Sequence, residues 1–463
     1  MLLFGRVVAA LISGGLLALS YGLEPFWLLA WVAPIPLLIA VMGATRVGAF
    51  AYGAIAGALS MGGLFTYFLE LSGLTPTLIV CAIKALTWGA MMFAVRAAAR
   101  RLPTPAAAFV FPTLMAGLET LIAAVSPHGS AGALAYSQMD FLPAIQVASL
   151  GGAPAITFVL AAFASAFAFL VAKRAIVSAA APVALAAAAL AFGWMRPGIE
   201  APRGEPVRVA LLAGDQFEGV PADWRLVWSA YTTQIEQAAD ADFRIVLAPE
   251  KIAHLPPDER GAAIAQLEEI ARRRDVLLIA GVDDETEEGR FNRAYVFSPA
   301  GSQTYDKRHM IPGFESHFAP GARDLLVERS GQRYGVAICK DMDFPALGRR
   351  YAGVHAMLVP AWDFGEDAWL HSRMAMLRGV ENGYAVIRSA REGALTVSDA
   401  YGHVLAEAMS GPQTAFTTQE DIFSPGPTIY SRIGDAFGWA MLACAGLLIG
   451  WTIWVRRRAG SGE

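Results

Sequence analysis

The sequence has little charge and very few cysteines for a chain of 463 residues. Only 16% of the residues are charged, whereas 55% are hydrophobic. This composition is too apolar for an ordinary soluble protein of this length. The formal net charge of −4 provides no overall basic surface, so we expect no nucleic-acid partner. Of the three cysteines, Cys81 and Cys444 lie in long apolar runs, which leaves Cys339 alone in the polar region without a disulfide partner in its own domain.

Sequence signals for metal and nucleotide binding are also missing. No glycine-rich nucleotide loop occurs in the chain. Four histidines of the polar region lack companions at the spacing of zinc ligands, and we interpret them as surface or structural residues: His254, His309, His317 and His371. We therefore expect neither a metal site nor a cofactor.

Long apolar segments fill the first 195 residues and recur near the C-terminus. A bilayer core needs about 20 apolar residues per helix. Eight segments approach this length, at 6–22, 26–42, 49–69, 75–95, 105–125, 143–172, 175–195 and 436–455. The first is interpreted as a membrane helix rather than a signal peptide, because apolar segments continue after it. The sequence thus predicts a multi-pass membrane protein with eight transmembrane helices.

Basic residues between these segments predict the orientation in the membrane. With eight helices, the basic clusters all fall on one face, and they comprise Arg6, Arg46, Arg96, Arg100, Arg101, Lys173, Arg174, Arg456, Arg457 and Arg458. The loops on the opposite face, near 23–25, 70–74 and 126–142, contain no Lys or Arg. Because cytoplasmic loops are enriched in basic residues, we expect both termini in the cytoplasm. Residues 196–435 then lie on the far side, which in a bacterium is the periplasm.

Two ionisable residues fall inside predicted membrane helices. Lys84 lies in the fourth helix and Glu119 in the fifth. Charges within a membrane are costly and tend to face protein or a water-filled interior. Two interpretations stay open: a polar lining for a lipid head group, or a structural role in which the residues pair helices or Lys84 extends to the interface.

Strand-like and helical patterns alternate beyond residue 206. Short apolar runs predict strands at 207–212, 244–247, 276–281, 294–297, 334–338, 356–359, 385–387 and 395–398. Helical stretches are predicted at about 222–240, 258–274 and 366–382. This mixture indicates one α/β domain. The predicted organisation is a seven-helix transmembrane domain at 1–195, a Pro- and Gly-rich linker at 196–206, the α/β domain at 207–432 and a C-terminal transmembrane helix at 433–458.

Polar residues follow three strand-like runs of the α/β domain. They are Glu250, Lys307 and Cys339. A carboxylate can take the proton of a thiol, and the thiolate is the nucleophile. A lysine ammonium or a backbone N–H can stabilise a tetrahedral oxyanion. The three residues would form an acyl-transfer set if they met in space; otherwise Cys339 is a buried structural cysteine and the other two are solvated side chains.

The order of these motifs resembles the nitrilase superfamily, whose catalytic triad is Glu, Lys and Cys in an αββα sandwich. The segment 305–309, Tyr-Asp-Lys-Arg-His, is its most specific piece. The resemblance implies that Glu250 is the general base, Lys307 the oxyanion-stabilising residue and Cys339 the nucleophile. It also implies that Glu315 corresponds to the second essential glutamate of the superfamily.

Seven helices before a nitrilase-like domain and one after it resemble the apolipoprotein N-acyltransferase family. The segments 23–27, 135–138 and 428–435 fit the pattern of that family. The resemblance implies transfer of an acyl chain from a phospholipid, through a Cys339 thioester, to the N-terminal amine of a diacylglyceryl-cysteine apolipoprotein. It further implies a bacterial inner-membrane location with a periplasmic catalytic domain, and we expect a monomer.

The sequence departs from the family pattern around the triad. Trp-Pro-Glu-Thr is replaced by Ala-Pro-Glu-Lys at 248–251, and Cys-Tyr-Glu by Cys-Lys-Asp at 339–341. We expect Lys340 to favour the thiolate and its backbone N–H to hold the oxyanion. Asp341 is shorter than the usual glutamate, and Trp362 is expected near the pocket. Two alternatives stay open: a membrane-tethered amidase or hydrolase, and a non-catalytic lipid- or lipoprotein-binding relative.

Overall fold

The computed structural model describes residues 3–199 and 205–460 and separates into two compact units. The first unit consists of the chain up to Val125, Gly132–Arg196, and the chain from Ile433 onward. The second consists of Ser126–Ala131 and Pro197–Arg432. The short segment Ser126–Ala131 therefore belongs to the second unit, although its neighbours in sequence belong to the first.

The first unit is helical. Its helices are α1 (Leu3–Ser20), α2 (Trp27–Val32), α3 (Ile35–Met42), α4 (Arg46–Leu59), α5 (Phe65–Ser72), α6 (Leu74–Ala99), α7 (Thr104–Ala108), α8 (Val110–Val125), α9 (Leu142–Ile145), α10 (Ala148–Gly151), α11 (Ala153–Lys173) and α12 (Ile176–Ile199). A 3₁₀ turn covers Leu134–Gln138. The predicted linker at 196–206 starts inside α12, and its residues 200–204 lie outside the described residues.

Six helical spans among the described residues are long and apolar enough to cross a membrane. They are Leu3–Ser20, Leu74–Ala99, Thr104–Val125, Ala153–Lys173, Ala179–Pro197 and Ala436–Arg458. The chain is therefore a membrane protein. The predicted second and third segments instead form the shorter helices Trp27–Met42 and Arg46–Leu59. Eight crossings and the side on which the second unit lies stay predictions.

Local sequence explains why these two segments are interrupted. Pro34 separates α2 from α3, and proline has no N–H to donate within a helix. After α4 the chain turns through Gly62 and Gly63 before α5 begins. A Cβ on Gly63 would lie only 2.3 Å from the Ala18 carbonyl oxygen, so only glycine permits this close approach.

The two intramembrane charges both have partners within the helical unit. The Lys84 ammonium lies 3.9 Å from the ring centroid of Tyr21. Glu119 accepts hydrogen bonds from the Leu134 N–H (2.9 Å) and the Thr157 hydroxyl (2.5 Å). These contacts favour a structural role over a lipid-facing one for both residues.

The second unit contains strands β1 to β13. Their bounds are β1 (Glu205–Ala213), β2 (Ile245–Leu247), β3 (His254–Leu255), β4 (Leu277–Thr286), β5 (Gly289–Ser298), β6 (Gly301–Asp306), β7 (Leu325–Arg329), β8 (Gln332–Val336), β9 (Ala356–Trp362), β10 (Ala385–Arg391), β11 (Ala394–Ser398), β12 (Val404–Met409) and β13 (Thr414–Ile422). The helices are α13 (Trp224–Asp240), α14 (Arg260–Arg274), α15 (Pro345–Arg350), α16 (Ala368–Asn382) and α17 (Ile429–Ile433), before α18 (Ala436–Gly460) continues into the first unit.

The strands that the structure describes form two mixed sheets with a shared core. One has the order β13-β1-β2-β4-β5-β6, with β3 beside β4, and the other has the order β12-β11-β10-β9-β8-β7. Successive residues of β1 face opposite sides. Val209 and Leu211 belong to the core that both sheets share, whereas Ala210 and Leu212 pack with residues of α13 and α14. With α16 against β10 and β11, the layers form the predicted αββα sandwich.

Candidate active site

The three predicted catalytic residues each follow a strand of the second unit. Glu250 lies after β2, Lys307 directly after β6, and Cys339 shortly after β8. The Glu250 N–H donates to the Ala361 carbonyl of β9 (3.2 Å), which joins the ends of the two sheets at this point. A Cβ on Gly281 of β4 would lie 2.6 Å from Glu250 Cα, so the chain can pass here only with glycine.

Lys307 joins two carboxylates in a buried cluster. Its Nζ lies 2.8 Å from Glu250 Oε1 and 2.8 Å from Glu315 Oε2. The three side chains are at most 1% exposed. Asn292 of β5 donates from Nδ2 to Glu250 Oε1 (2.5 Å) and to Glu315 Oε1 (2.9 Å), and the Ile311 N–H donates to Glu315 Oε2 (2.9 Å). The fold thus brings three of the predicted site residues together.

The electrostatics of this cluster keep Lys307 and Glu315 ionised. Burial disfavours the Lys307 ammonium, but the carboxylates of Glu250 and Glu315 outweigh burial and raise the pKa of Lys307 above its usual value. Burial also disfavours the Glu315 carboxylate, yet Lys307 and Lys251 lower the pKa of Glu315 to about 2. Lys307 therefore carries a positive charge, and Glu315 a negative charge, at neutral pH.

Cys339 has a strained backbone and a protonated thiol. Its φ of 45° lies in the left-handed region that non-glycine residues rarely adopt, a strain that clusters at functional sites. The thiol donates weakly to the Trp362 carbonyl (3.7 Å). Burial is the largest cause that raises the pKa of the Cys339 thiol well above its usual value, and Glu250 adds to it, while Lys307 opposes both. At neutral pH the Cys339 side chain is therefore a thiol rather than a thiolate.

Two family models match most of the chain. The description of the first is apolipoprotein N-acyltransferase N-terminal domain, and it matches residues 13–166. The description of the second is carbon-nitrogen hydrolase, and it matches residues 210–420, which include all three predicted catalytic residues. The chain belongs to the apolipoprotein N-acyltransferase family.

Relatives of that family match along nearly the whole chain. The apolipoprotein N-acyltransferase of Geobacter metallireducens is 25% identical, over 95% of this chain and 94% of its own length. That of Gloeobacter violaceus is also 25% identical, over 96% and 94%. Among solved structures, a CN-hydrolase superfamily protein from Xanthomonas campestris is 23% identical and aligns with a TM-score of 0.43 over 52% of this chain and 97% of its own.

Lys340 and Asp341, where this chain departs from the family pattern, contact groups other than the thiol. The Lys340 ammonium lies 3.2 Å from His128 Nδ1 and 3.5 Å from Asp343 Oδ2. These two partners engage the Lys340 charge, and an effect of Lys340 on the Cys339 thiolate stays a prediction. Asp341 is fully buried and accepts from the Tyr305 hydroxyl (2.8 Å) and the His309 N–H (3.0 Å). Asp341 therefore connects the end of β6 to the 3₁₀ turn Cys339–Asp343, which we call the cysteine turn.

Trp362, the last residue of β9, lies beside the Cys339 thiol. The backbone carbonyl of Trp362 contacts the Cys339 thiol, and its indole ring faces two cations. Lys251 Nζ lies 5.0 Å and Arg391 Cζ 4.2 Å from the ring centroid. Such distances permit cation–π attraction. Trp362 therefore lines the candidate active site.

Sequence reasoning missed several members of this site. Asn292 sits inside a strand, and nothing in its surroundings marks it as more than a strand residue. Asp363 and Arg388 form a fully buried ion pair (2.9 Å between Oδ2 and Nη1) whose charges also act on the thiol. One signal in the sequence could have found Asp363 and Arg388. Charged residues inside or next to an apolar strand are almost never fully buried unless they are paired.

Each of the four histidines that the sequence predicts to be surface or structural residues contacts a neighbouring side chain. His309 stacks on Phe344 at 3.6 Å between centroids. His371 lies 3.1 Å from Asp367, which outweighs burial and raises the pKa of His371 to about 9. His254 lies 3.5 Å from Asp283, and His317 packs against Phe318. Among the residues that the structure describes, no group of three or more His, Cys, Asp or Glu could hold a metal ion.

The segment Ser126–Ala131 is hydrogen-bonded to the cysteine turn, Cys339–Asp343. Ser130 donates from its N–H (2.9 Å) and its hydroxyl (2.7 Å) to the Asp343 carbonyl. Gly129 has a φ of 54°, and a Cβ there would lie 2.5 Å from the Asp343 carbonyl oxygen. Only glycine allows both this backbone conformation and this approach.

Gly129→Ala is therefore expected to destabilise the second unit by about 1–3 kcal/mol, through the left-handed φ and the contact with Asp343. It should also slow acylation of Cys339, because Asp343 ends the cysteine turn. Thermal denaturation of the detergent-solubilised protein and the rate of acyl-enzyme formation would measure the two effects.

Gly219→Ala is the matched control for Gly129→Ala. Gly219 has a similar φ of 56°, but a Cβ there would meet nothing within 4 Å. Gly219→Ala therefore has the free-energy cost of a left-handed φ but introduces no close contact. Equal loss of stability in the two variants would show that the close approach to Asp343 contributes nothing.

Proposed function

We propose that this protein transfers an acyl chain from a phospholipid to the N-terminal amine of a diacylglyceryl-cysteine apolipoprotein. The observation that carries the proposal is the buried cluster of Glu250, Lys307 and Glu315, of which Glu250 and Lys307 act electrostatically on the Cys339 thiol. Membership of the apolipoprotein N-acyltransferase family supports the identity of donor and acceptor. We further propose that the reaction takes place at the periplasmic face of a bacterial inner membrane.

The first half-reaction forms a thioester. Glu250 takes the proton of the Cys339 thiol while the sulfur attacks the carbonyl carbon of the sn-1 ester. The resulting oxyanion is stabilised by the Lys307 ammonium and by the backbone N–H of Lys340. Collapse of this intermediate breaks the ester C–O bond, and the departing glyceryl oxygen takes the proton from Glu250. Lysophospholipid leaves, and the acyl chain stays on Cys339.

The second half-reaction forms an amide. The neutral α-amine of the acceptor attacks the thioester carbonyl, and the same ammonium and N–H hold the oxyanion. Glu250 takes a proton from the attacking nitrogen. The C–S bond then breaks, and the sulfur receives that proton, which restores the thiol and the carboxylate. A single base therefore serves both steps, as in other two-step acyl transfers.

The raised pKa of the Cys339 thiol fits this scheme. A free thiolate would react with any electrophile that reached it. Holding the proton until Glu250 removes it during attack restricts reaction to a substrate whose carbonyl is already in place. Lys307 compensates the negative charge that then develops, because it is protonated throughout.

The decisive experiment supplies the purified protein with phospholipid and a synthetic diacylated lipopeptide. The proposal expects a triacylated lipopeptide and one equivalent of lysophospholipid, both identified by mass spectrometry. Free fatty acid without triacylated product would identify a hydrolase instead. Binding of either lipid without turnover would identify a non-catalytic relative.

The same proposal has a consequence in cells. A model lipoprotein from cells that contain the protein should carry an N-acylated terminal cysteine. In cells depleted of the protein, the mass of its N-terminal peptide should fall by that of one acyl chain. An unchanged peptide mass after depletion would contradict the assignment of the acceptor.

A further inference from the structure

Lys251 is a second ammonium in the candidate active site, directly after the proposed base. Its Nζ lies 2.7 Å from Glu315 Oε1 and 3.9 Å from Glu250 Oε1. Its side chain is 12% exposed, whereas that of Lys307 is fully buried. It also faces the rings of Trp362 and Phe318, with 5.0 and 5.7 Å between Nζ and the centroids. Of the two lysines in the cluster, Lys251 is thus the one whose side chain is partly exposed.

The backbone of Lys251 directs the side chain into the site. Its φ of 49° places it in the left-handed region, which costs free energy for a residue with a Cβ. As a consequence, the side chain of Lys251 joins the same cluster as that of the preceding residue, Glu250. In an extended strand, two neighbouring side chains would point to opposite faces. A strained residue at this position is typical of a functional role.

Charge balance indicates what the second ammonium does. The cluster contains two carboxylates, Glu250 and Glu315, and Lys307 alone would leave one negative charge uncompensated in a buried site. Such a charge is costly unless it is paired. With Lys251 present the cluster is neutral. Lys251 also occupies Glu315 Oε1, while Oε2 accepts from Lys307 and the Ile311 N–H.

We propose that Lys251 is a positioning residue that neutralises Glu315, so that Lys307 can serve the oxyanion and the Cys339 thiol can ionise beside a cluster without excess negative charge. The inference rests on the proposed function for its purpose in catalysis.

The test measures how readily Cys339 loses its proton in the full-length protein. In a background with Cys81→Ala and Cys444→Ala, Cys339 is the single cysteine, and it is partly exposed to a small reagent. The rate of its alkylation by iodoacetamide follows the fraction of thiolate. At about pH 8.5, Lys251→Met and Lys251→Gln should each react at least about threefold more slowly, because half a pKa unit changes the thiolate fraction by that factor.

Two further variants separate charge from packing. Lys251→Arg keeps the positive charge and should restore the alkylation rate. Arg290→Met removes a cation that faces the same Phe318 ring, at 5.6 Å, but that pairs with Asp283 instead of Glu315. Its alkylation rate should equal that of the parent protein. The charged groups that face Glu315 are Lys251, Lys307 and Glu250, with the neutral Asn292 beside them.

Unchanged alkylation in both neutral variants would overturn the inference, as would failure of Lys251→Arg to restore the rate. The assay uses no lipid, so its outcome does not depend on the proposed acyl donor or acceptor. If lipopeptide acylation is observed and the alkylation rates do not differ, only the role of Lys251 is wrong. If alkylation changes as expected and no acyl transfer occurs, only the proposed function is wrong.

Discussion

Replacing Cys339 by serine is expected to abolish the acyl-enzyme and to lower acyl transfer by at least about a thousandfold. A serine hydroxyl is far less acidic than a thiol, and the surroundings of Cys339 already oppose ionisation. Incubation with a phospholipid labelled in its sn-1 acyl chain would detect the thioester. Its sensitivity to neutral hydroxylamine would identify the bond as a thioester.

The other two cysteines are the controls for this experiment. Cys81 lies in α6 and Cys444 in α18, both within the helical unit. Their replacement by alanine should leave acyl-enzyme formation within about twofold of the parent, since surface and lipid-facing substitutions usually change little. Label that persists on the Cys339→Ser protein would show that another residue is the nucleophile.

Replacing Lys307 by methionine should remove activity and also destabilise the second unit. Methionine resembles the lysine stem in volume but cannot pair with Glu250 or Glu315. Leaving a buried charge without its partner costs about 3–5 kcal/mol. We therefore expect a clear fall in the thermal denaturation midpoint and no detectable thioester. Both follow from the two contacts of 2.8 Å that Nζ makes with these carboxylates.

A double variant separates the two effects of Lys307. Lys307→Met combined with Glu315→Gln removes one positive and one negative charge, so the cluster regains its balance with Lys251 and Glu250. We expect it to recover part of the lost stability but none of the activity, because the oxyanion still lacks its ammonium. Thioester formation at the parent rate in either variant would contradict the role of Lys307.

The layout of the second unit was largely predictable because its central strands are continuous apolar runs. The run 356–359 became β9, which lies between two strands and is buried from Ala356 to Ala361. The outer strands were not predicted. In β13, exposed polar residues alternate with partly buried ones, yet the strand pairs with all of β1. Such a strand has a weak apolar signal and is stabilised by its neighbour's backbone hydrogen bonds.

Local chemistry also limited the prediction of the membrane helices. Six of the eight predicted segments overlap helices long enough to cross a membrane, but hydropathy gives no weight to a proline or to paired glycines. Pro34 and the turn at Gly62 and Gly63 interrupt two of the segments, since an absent N–H and absent side chains both weaken a helix. An apolar run therefore predicted where helices lie more reliably than how long each one is.

The amino-acid sequence by itself determined the apolar segments, the alternating α/β pattern and the identity of Glu250, Lys307 and Cys339 as candidates, because these depend on residue type and order along the chain. The tertiary structure alone decided that Lys251 and Asn292 share Glu315 with Lys307, that Lys340 points to His128 and Asp343, and that the thiol is protonated. Ionisation and pairing depend on distances and burial, and these arise only when strands distant in sequence fold against one another.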